Sequence, residues 1–291
     1  MTPTSSPAIP FGVADEYGVL TDVLLCEPDH FQWFPANSVV EETLRRGTSF
    51  DLQVAKRQHR EFVEALEGAG VTCHFVQPDP YLPYQVYTRD PDVTTPWGVM
   101  VTQMCRPQRV GEVAPIVRFY QEHNIPVWNW VTAGSLEGGD VHLVRPGKLM
   151  IGYTGERTKA ASARQAASWF EKEGWEVRCQ PFAEHFLHMD LLFAMAAENV
   201  AVACVEVLPE DCLAWLRAQK IELVPVPYKA AMELGCNVLG LGNGKVLSTA
   251  ASAEVNAGLR ALGLEVLDPD LTMFTMGGGG PRCMSMPLRR L

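Results

Sequence analysis

A cysteine near the end of the chain stands in a context that suits a nucleophile. Cys283 follows Arg282 and the glycine run 277–280, in the segment MGGGGPRCMSMP. Four consecutive glycines lose much backbone entropy on folding, and they permit close approach of a ligand to the next side chain. A thiol beside an arginine and several loop amides is expected to have a lowered pKa, which activates it for attack. A flexible tail with an incidental cysteine is the alternative interpretation.

A histidine and an aspartate lie two residues apart in the segment LHMD. His188 and Asp190 precede the apolar run LLFAM, which has the composition of a buried strand. In a strand they would share one face, because side chains alternate with period two. A histidine beside a carboxylate is a plausible acid/base pair. The alternative is a structural histidine at a strand end.

Two more carboxylates occur in short turn-like segments. Glu137 lies in SLEGGD and Asp90 in YTRDP, and both come where a repeat unit begins, as does Asp190. In a radial array such positions converge at one end of the axis, which would gather three carboxylates around a histidine and a cysteine. A guanidinium, with its fork of N–H donors, matches several carboxylates. Ordinary solvated turns are the alternative for each segment taken alone.

The elements that must position these residues recur with a period near fifty. Helical patterns begin near residues 51, 110, 158, 209 and 251, and each is followed by a short apolar strand. Five α/β units of strand pair, helix and strand predict a repeat architecture, either a closed radial array or a solenoid. A doubly wound sheet is the structural alternative, although no glycine-rich dinucleotide turn follows the first strand. No linker divides the chain, so we expect a single domain over residues 1–291 with an irregular segment at 1–15.

Composition excludes several classes of protein. The chain has 291 residues, and Lys+Arg 24 against Asp+Glu 34 gives a formal charge of −10, which disfavours nucleic-acid binding. No apolar run approaches the ~18 residues of a membrane span, and no signal peptide is expected at the N-terminus. Eight scattered cysteines without CxxC spacing indicate reduced thiols in a cytoplasmic protein and no structural metal site.

Five motifs together resemble those of a known superfamily. TRDP, EGGD, GERT, HMD and GGPRC occur in this order, between about Tyr17 and Cys283. They are similar to motifs of the guanidino-group modifying superfamily, which contains arginine deiminases, dimethylarginine dimethylaminohydrolases, agmatine deiminases and amidinotransferases. The resemblance implies a five-bladed α/β-propeller of ββαβ modules, a small-molecule guanidino substrate and no metal or organic cofactor.

The resemblance also implies roles for the residues in these motifs. Cys283 matches the covalent nucleophile, His188 the general acid/base, and Glu137 the carboxylate that holds the guanidinium and orients the histidine. Asp90 and Asp190 match carboxylates that bind guanidinium nitrogens.

Two arginines fit the same pattern by their spacing. Arg109 lies 19 residues after Asp90, and Arg157 lies 20 residues after Glu137. These positions are similar to those of the arginines that bind the substrate α-carboxylate in deiminases and dimethylargininases. The alternative is that both are surface arginines in polar loops.

Departures from the family pattern bear on the choice of activity. Dimethylargininases usually carry lysine where this chain has Asp190, and deiminases place an arginine where it has Gly278. An aspartate favours an unsubstituted guanidinium, because it needs N–H donors. We therefore expect a hydrolase of arginine or a related guanidino acid that gives a ureido product such as citrulline.

Three other activities stay open at this stage. They are amidino transfer to an amine acceptor, arginine dihydrolase activity giving ornithine, and guanidino binding without turnover. A homodimer is compatible with the charge and the expected compact fold.

Overall fold

The computed structural model describes residues 9–35 and 37–291, and it is built on five three-stranded sheets. The strands are β1 (Leu20–Cys26), β2 (Thr72–Val76), β3 (Asp92–Thr95), β4 (Gly98–Val101), β5 (Val127–Trp130), β6 (Val141–Arg145), β7 (Lys148–Tyr153), β8 (Glu176–Pro181), β9 (Phe193–Ala197), β10 (Val200–Ala203), β11 (Glu222–Pro225), β12 (Leu239–Gly242), β13 (Lys245–Leu247), β14 (Glu265–Leu267) and β15 (Met286–Arg290). The helices are α1 (Ser38–Arg45), α2 (Leu52–Gly68), α3 (Val113–Glu122), α4 (Ala160–Lys172), α5 (Glu210–Ala218), α6 (Tyr228–Met232), α7 (Ala253–Ala261) and α8 (Thr272–Thr275). Three 3-10 turns cover Pro107–Glu112, Gly138–Asp140 and Met189–Leu191.

Four of the five modules share one chain order. In the module of β3, β4 and β5, the first two strands pair antiparallel, α3 follows, and β5 returns parallel to β4. The sheets β6–β7–β8, β9–β10–β11 and β12–β13–β14 repeat this order with α4, α5 and α7. A parallel return needs a crossover connection, which the helix supplies. The predicted repeat of ββαβ modules is confirmed.

The remaining module is completed by the two ends of the described chain. β1 pairs parallel with β2 and antiparallel with β15, so that Leu20 lies opposite Arg290 and Val23 opposite Pro287. β15 therefore takes the place that β3, β6, β9 and β12 occupy in the other sheets. A loop before β1 adds to this closure, since the Gly12 amide donates to the Leu288 carbonyl at 2.8 Å.

Two pairs of first strands from neighbouring modules contact each other: β9 contacts β12, and β15 contacts β3. Strands β3 and β4 are buried along their whole length. A sheet covered on both faces has no solvent-facing side, which accounts for near-continuous burial. Five such three-stranded modules make up the predicted five-bladed α/β-propeller.

Local sequence explains where the longest helix begins and ends. Asp51 accepts hydrogen bonds from the backbone amides of Gln53 and Val54, which caps the first turn of α2. Phe62 and Leu66 lie on its buried face. Gly70, with φ +90°, adopts the left-handed conformation that turns the chain into β2.

Residues 188–190 do not form the strand that the sequence suggested. They lead into a 3-10 turn, in which the Leu191 amide donates to the His188 carbonyl at 3.2 Å. Side chains in such a turn do not alternate between two faces, so the expectation that His188 and Asp190 share a strand face is wrong. Strands β3 and β15 and helix α1 were also not predicted.

Only residues 9–15 of the irregular segment expected at residues 1–15 lie in the described part of the chain. Residues 9–15 are irregular apart from one isolated bridge between Gly12 and Arg289, whereas residues 1–8 lie outside the described part of the chain. The single domain over residues 1–291 stays a prediction. Over the described ranges, no helix is both long and apolar enough to cross a membrane.

Candidate active site

Four loops bring five of the seven predicted site residues together, and each of these loops leads into the first strand of a module. Asp90 precedes β3, residues 137–140 precede β6, residues 188–190 precede β9, and Cys283 precedes β15. The loops are bonded to one another, since the Gly138 amide donates to the Asp90 carbonyl at 2.9 Å. All seven side chains singled out in the sequence lie at this end of the propeller, in the pocket wall or one contact behind it.

The loops surround a pocket at this end of the propeller. The lining residues are Asn37, Tyr84, Tyr87, Asp90, Arg109, Arg157, Leu187, His188, Gly278 and Cys283.

His188 is held between two carboxylates inside the pocket. Its Nε2 lies 2.7 Å from Glu137 Oε2, and its Nδ1 lies 3.7 Å from Asp90 Oδ1. Burial lowers the pKa of His188, but the charge of Asp90 and the hydrogen bond to Glu137 outweigh it and raise this pKa to about 9. His188 is therefore an imidazolium at neutral pH, ready to act as a general acid.

Glu137 lies behind His188, fully buried. Its Oε1 accepts the Cys105 amide at 2.9 Å, and its Oε2 lies 3.4 Å from Arg157 Nη1. Burial raises the pKa of Glu137, but the hydrogen bond from His188 and the charge of Arg157 hold it well below the ordinary value. Glu137 is thus an ionised partner that fixes the histidine ring, and it does not itself line the pocket.

The thiol of Cys283 has an environment opposite to the one expected from sequence. Its Sγ lies 3.3 Å from Asp190 Oδ2, and burial together with the charges of Asp190 and Asp90 raises the pKa of the thiol well above the ordinary value. The expected lowering by Arg282 is wrong, because its guanidinium is bound to Glu16 at 2.7 Å and to Asp190 at 3.1 Å. In the ligand-free site the thiol is therefore neutral at pH 7.

Asp190 has one oxygen held by protein and one without a partner. Oδ2 contacts both Arg282 and Cys283, whereas Oδ1 is buried with no hydrogen-bond partner among the described residues. Asp90 Oδ1 accepts the Gly139 amide at 3.2 Å, and its Oδ2 pairs with Arg109 at 2.7 Å. A buried acceptor without a donor is unfavourable, so Asp190 Oδ1 is suited to an N–H of a ligand.

The two arginines occupy the pocket wall, but protein carboxylates already contact them. Arg109 donates to the Glu112 carboxylate twice, from Nε at 2.9 Å and from Nη2 at 2.7 Å. Its Nη1 donates to Asp90. Sequence reasoning missed Glu112, whose signal is the three-residue spacing from Arg109 on a helical turn. Neither arginine is exposed at the surface, which rules out the alternative of solvated surface residues.

The glycine run packs closely against protein side chains. A Cβ at Gly277 would lie 2.6 Å from the Tyr87 hydroxyl, and one at Gly278, where φ is +100°, would lie 2.6 Å from Asn37 Nδ2. A side chain at either position would displace the pocket wall, so Asn37 fills the space that a larger residue at 278 would need.

One group of side chains in the described chain has metal-ligand spacing. The ligand atoms of Asp90, Glu137 and His188 lie within 4.8 Å of one another. Both ring nitrogens of His188 face these carboxylates and carry protons at neutral pH, whereas a metal needs a neutral imidazole. The arrangement therefore fits proton transfer better than metal binding.

Comparison with known proteins gives consistent matches along the chain. The family described as N,N dimethylarginine dimethylhydrolase, eukaryotic, matches residues 27–290. The uncharacterized protein YkgA of Bacillus subtilis is 30% identical over 279 residues, which cover 94% of each chain. An arginine deiminase of Bacillus cytotoxicus is 26% identical over 72% of this chain, and the match spans 62% of that enzyme.

A solved structure with the same fold is the N-terminal domain of ArgZ, an arginine dihydrolase from the cyanobacterial ornithine-ammonia cycle. It superposes with a TM-score of 0.82 at 19% identity, covering 92% of this chain and 98% of the domain. At this identity the likeness concerns the fold.

Proposed function

Since this chain belongs to the N,N-dimethylarginine dimethylhydrolase family of guanidino-modifying enzymes and is a hydrolase of C–N bonds in guanidino groups, we propose that its substrate is free arginine or another unsubstituted guanidino acid. We further propose that the reaction passes through a covalent intermediate on Cys283. The observation that carries the proposal is the unpartnered Oδ1 of Asp190, a buried carboxylate that contacts the Cys283 thiol directly behind the pocket wall formed in part by Cys283 and His188.

Binding is the first step of the proposed mechanism. The substrate guanidinium donates N–H groups to Asp190 Oδ1 and to Asp90, which places its planar carbon against the sulfur. A cation at this position offsets the carboxylate charges that raise the pKa of the Cys283 thiol. The thiol then loses its proton to solvent, and the thiolate is the attacking species.

Chemistry follows in two half-reactions. Cys283 Sγ bonds to the guanidino carbon, and the C–N bond to the terminal nitrogen breaks as His188 gives that nitrogen a proton, so that ammonia leaves. The neutral His188 then removes a proton from water, whose oxygen attacks the amidino carbon and displaces the thiolate. Arginine would give citrulline, and this acid/base assistance contributes roughly 10²–10⁴-fold in rate.

Substrate selection in this proposal rests on the number of N–H donors. No described residue donates a hydrogen bond to Asp190 Oδ1, so a donor must come from the ligand. Each methyl group on the guanidinium replaces one of the N–H donors that the ligand could supply. Arg157 and Arg109 line the same pocket and would face the substrate carboxylate. Free arginine is therefore preferred to asymmetric dimethylarginine and to agmatine.

A turnover screen tests the proposal. Arginine, methylarginines, agmatine, guanidinoacetate and guanidinopropionate are each incubated with the enzyme, and ureido product and ammonia are measured. Cys283→Ser should abolish turnover with the fold intact, whereas Cys236→Ser, at another fully buried cysteine, should leave it unchanged. Faster turnover of asymmetric dimethylarginine than of arginine would overturn the assignment of Asp190.

Two further measurements separate the competing chemistries. Acid-quenched His188→Gly enzyme should show an amidino adduct on the Cys283 peptide by mass spectrometry, and an adduct on another cysteine would remove Cys283 from the mechanism. Adding glycine or ornithine should not change the yield of citrulline and ammonia. Consumption of arginine without either product would identify an amidinotransferase instead.

A further inference from the structure

A buried asparagine that none of the sequence motifs includes contacts the sulfur of Cys283. Asn237 lies in the loop between α6 and β12, is 1% exposed, and is 46 residues from Cys283 in the chain. Its Nδ2 lies 3.1 Å from Cys283 Sγ. Its Oδ1 accepts the backbone amides of Arg282 at 3.1 Å and of Cys283 at 3.2 Å.

The two backbone contacts fix which way the carboxamide of Asn237 points. A flipped amide would direct its NH₂ group at two N–H donors, from Arg282 and Cys283, and would leave both without an acceptor. The oxygen must therefore face the backbone, and the NH₂ group must face the sulfur. The contact to Cys283 Sγ is consequently an N–H donated to sulfur.

The loop that carries Asn237 is held firmly enough to keep this geometry. The Asn237 amide donates to the Leu234 carbonyl at 2.9 Å, and Leu234 is a buried non-glycine residue with φ +68°. A residue held in that region indicates a conformation that its surroundings enforce. Gly280 also contributes, because a Cβ there would lie 2.9 Å from Asn237 Oδ1.

Charge around the sulfur gives this contact its importance. Cys283 Sγ also contacts Asp190 Oδ2 at 3.3 Å, an acceptor that favours the protonated thiol, and it has a hydrogen bond with the Gly280 backbone that lowers the pKa of the thiol. The Asn237 NH₂ group has the opposite effect to Asp190, because it is a neutral donor and a donor to sulfur favours the thiolate. From this geometry we infer that Asn237 is a catalytic residue that stabilises the Cys283 thiolate by an Nδ2–H···S hydrogen bond. Through its Oδ1, which accepts the backbone amides of residues 282 and 283, it also positions the sulfur. The inference rests on the proposed role of Cys283 as nucleophile.

The variant Asn237→Asp separates the two contacts of the side chain. A carboxylate at 237 still accepts the amides of Arg282 and Cys283, and these two donors keep it ionised. It loses the donor to sulfur and directs a negative charge at it. At a pH below the thiol pKa, one unit of increase in that pKa lowers the thiolate fraction about tenfold.

Alkylation of the ligand-free enzyme by iodoacetamide at pH 8, followed on the Cys283 peptide by mass spectrometry, is the decisive measurement. We expect the rate constant at Cys283 to fall at least about tenfold in Asn237→Asp. Rates at Cys73 and Cys179, which are half-buried, should not change in the same digest. Asn129→Asp, the same substitution at a half-buried position on β5, is the matched control and should alkylate like wild type.

Catalysis and folding are measured on the same variants. The kcat of Asn237→Asp should fall with the alkylation rate, and its melting should remain cooperative. Unchanged alkylation at Cys283 in a folded Asn237→Asp protein would overturn the inference and leave Asn237 a residue that only holds the loop. If that variant does not fold, Gly280→Ala decides, because it displaces the carboxamide by a few tenths of an ångström; a wild-type alkylation rate in Gly280→Ala would overturn the inference equally.

The alkylation assay needs no substrate, so it is independent of the proposed activity. A Cys283→Ser enzyme with full turnover would refute the nucleophile and leave the alkylation difference as it stands.

Discussion

Replacing Gly139 by alanine should displace the His188 ring, and the size of the displacement follows from the geometry. Gly139 lies in the 3-10 turn Gly138–Asp140, and a Cβ added there would meet His188 Nδ1 at 2.5 Å, Cγ at 2.7 Å and Cβ at 3.0 Å. Ordinary van der Waals contact begins at 3.4 Å. His188 is buried between Glu137 and Asp90, so the ring must shift by about 1 Å from its present position.

Such a shift breaks the hydrogen bond on which the proposed acid/base role depends. The 2.7 Å contact from His188 Nε2 to Glu137 would lengthen beyond hydrogen-bond range. A hydrogen bond to a charged group contributes about 1.5–3 kcal/mol, which corresponds to about 10–150-fold in rate. A misplacement of about 1 Å in a reacting group has a similar effect, so we expect kcat to fall about 100-fold.

Two assays test this prediction, one of them without substrate. Citrulline release from arginine gives kcat for Gly139→Ala, with Gly68→Ala as control because an added Cβ there meets no atom within 4 Å. NMR titration of the His188 imidazole should give a pKa that falls from about 9 toward the ordinary histidine value of about 6.5, since the contact to Glu137 is lost. A variant with more than half of the wild-type kcat and an unchanged His188 pKa would refute the reasoning.

Three further predictions concern the thiol, the carboxylate end of the substrate and stability. Because burial, Asp190 and Asp90 raise the pKa of the Cys283 thiol, its alkylation rate in ligand-free enzyme should rise about tenfold per pH unit from pH 7 to 9, and a plateau below pH 7.5 would contradict this. Arg157→Ala should lower kcat/KM for arginine about 10–150-fold and that for agmatine far less; equal losses would mean that Arg157 acts only through Glu137. Burial raises the pKa of Asp92 from 3.8 to about 7, so the folded state binds a proton that the unfolded state releases, and stability should fall as pH rises through that window. Asp92→Asn should flatten this decline in melting temperature between pH 5 and 7, and an unchanged slope would show that other groups cause it.

Periodicity predicted most of the fold because most elements carry their own pattern. The helical pattern expected from about residue 51 is a local feature, and α2 begins there, at Leu52. Strand β3 has the sequence DVTT, whose aspartate and threonines imply exposure although all four residues are buried. Strand β15 contains a proline and two arginines, and its pairing with β1 joins residues about 270 positions apart in the chain. No local pattern predicts that closure.

The site was predictable in position and much less so in its electrostatics. The residues of the motifs do lie together, because four of the five motifs precede the first strand of a module, and GERT follows β7 with Arg157 in contact with Glu137. The direction of the Cys283 pKa shift could not be predicted, because it depends on where the Arg282 side chain turns. In the structure that side chain binds Glu16 and Asp190, and the thiol faces carboxylates instead. Asn237 lies outside every motif, so sequence gave no signal for it.

Charge balance links recognition of the substrate to activation of the nucleophile. Asp190 and Asp90 lie close to the Cys283 thiol, and no described residue of the pocket lining places a cation directly against the sulfur. When the site is empty, their negative charge together with burial keeps the thiol protonated. A guanidinium restores the balance, and on the proposed mechanism it thereby generates the thiolate that attacks it.

The same balance disfavours retention of the product. A ureido group is neutral, so its formation removes the cation that Asp190 and Asp90 attract. The excess negative charge then returns, the pKa of the Cys283 thiol rises again, and the sulfur is protected as a thiol until another cation binds. A neutral isostere such as citrulline should consequently bind far more weakly than arginine to Cys283→Ser enzyme. Equal affinities in calorimetry would mean that the carboxylates do not select for charge.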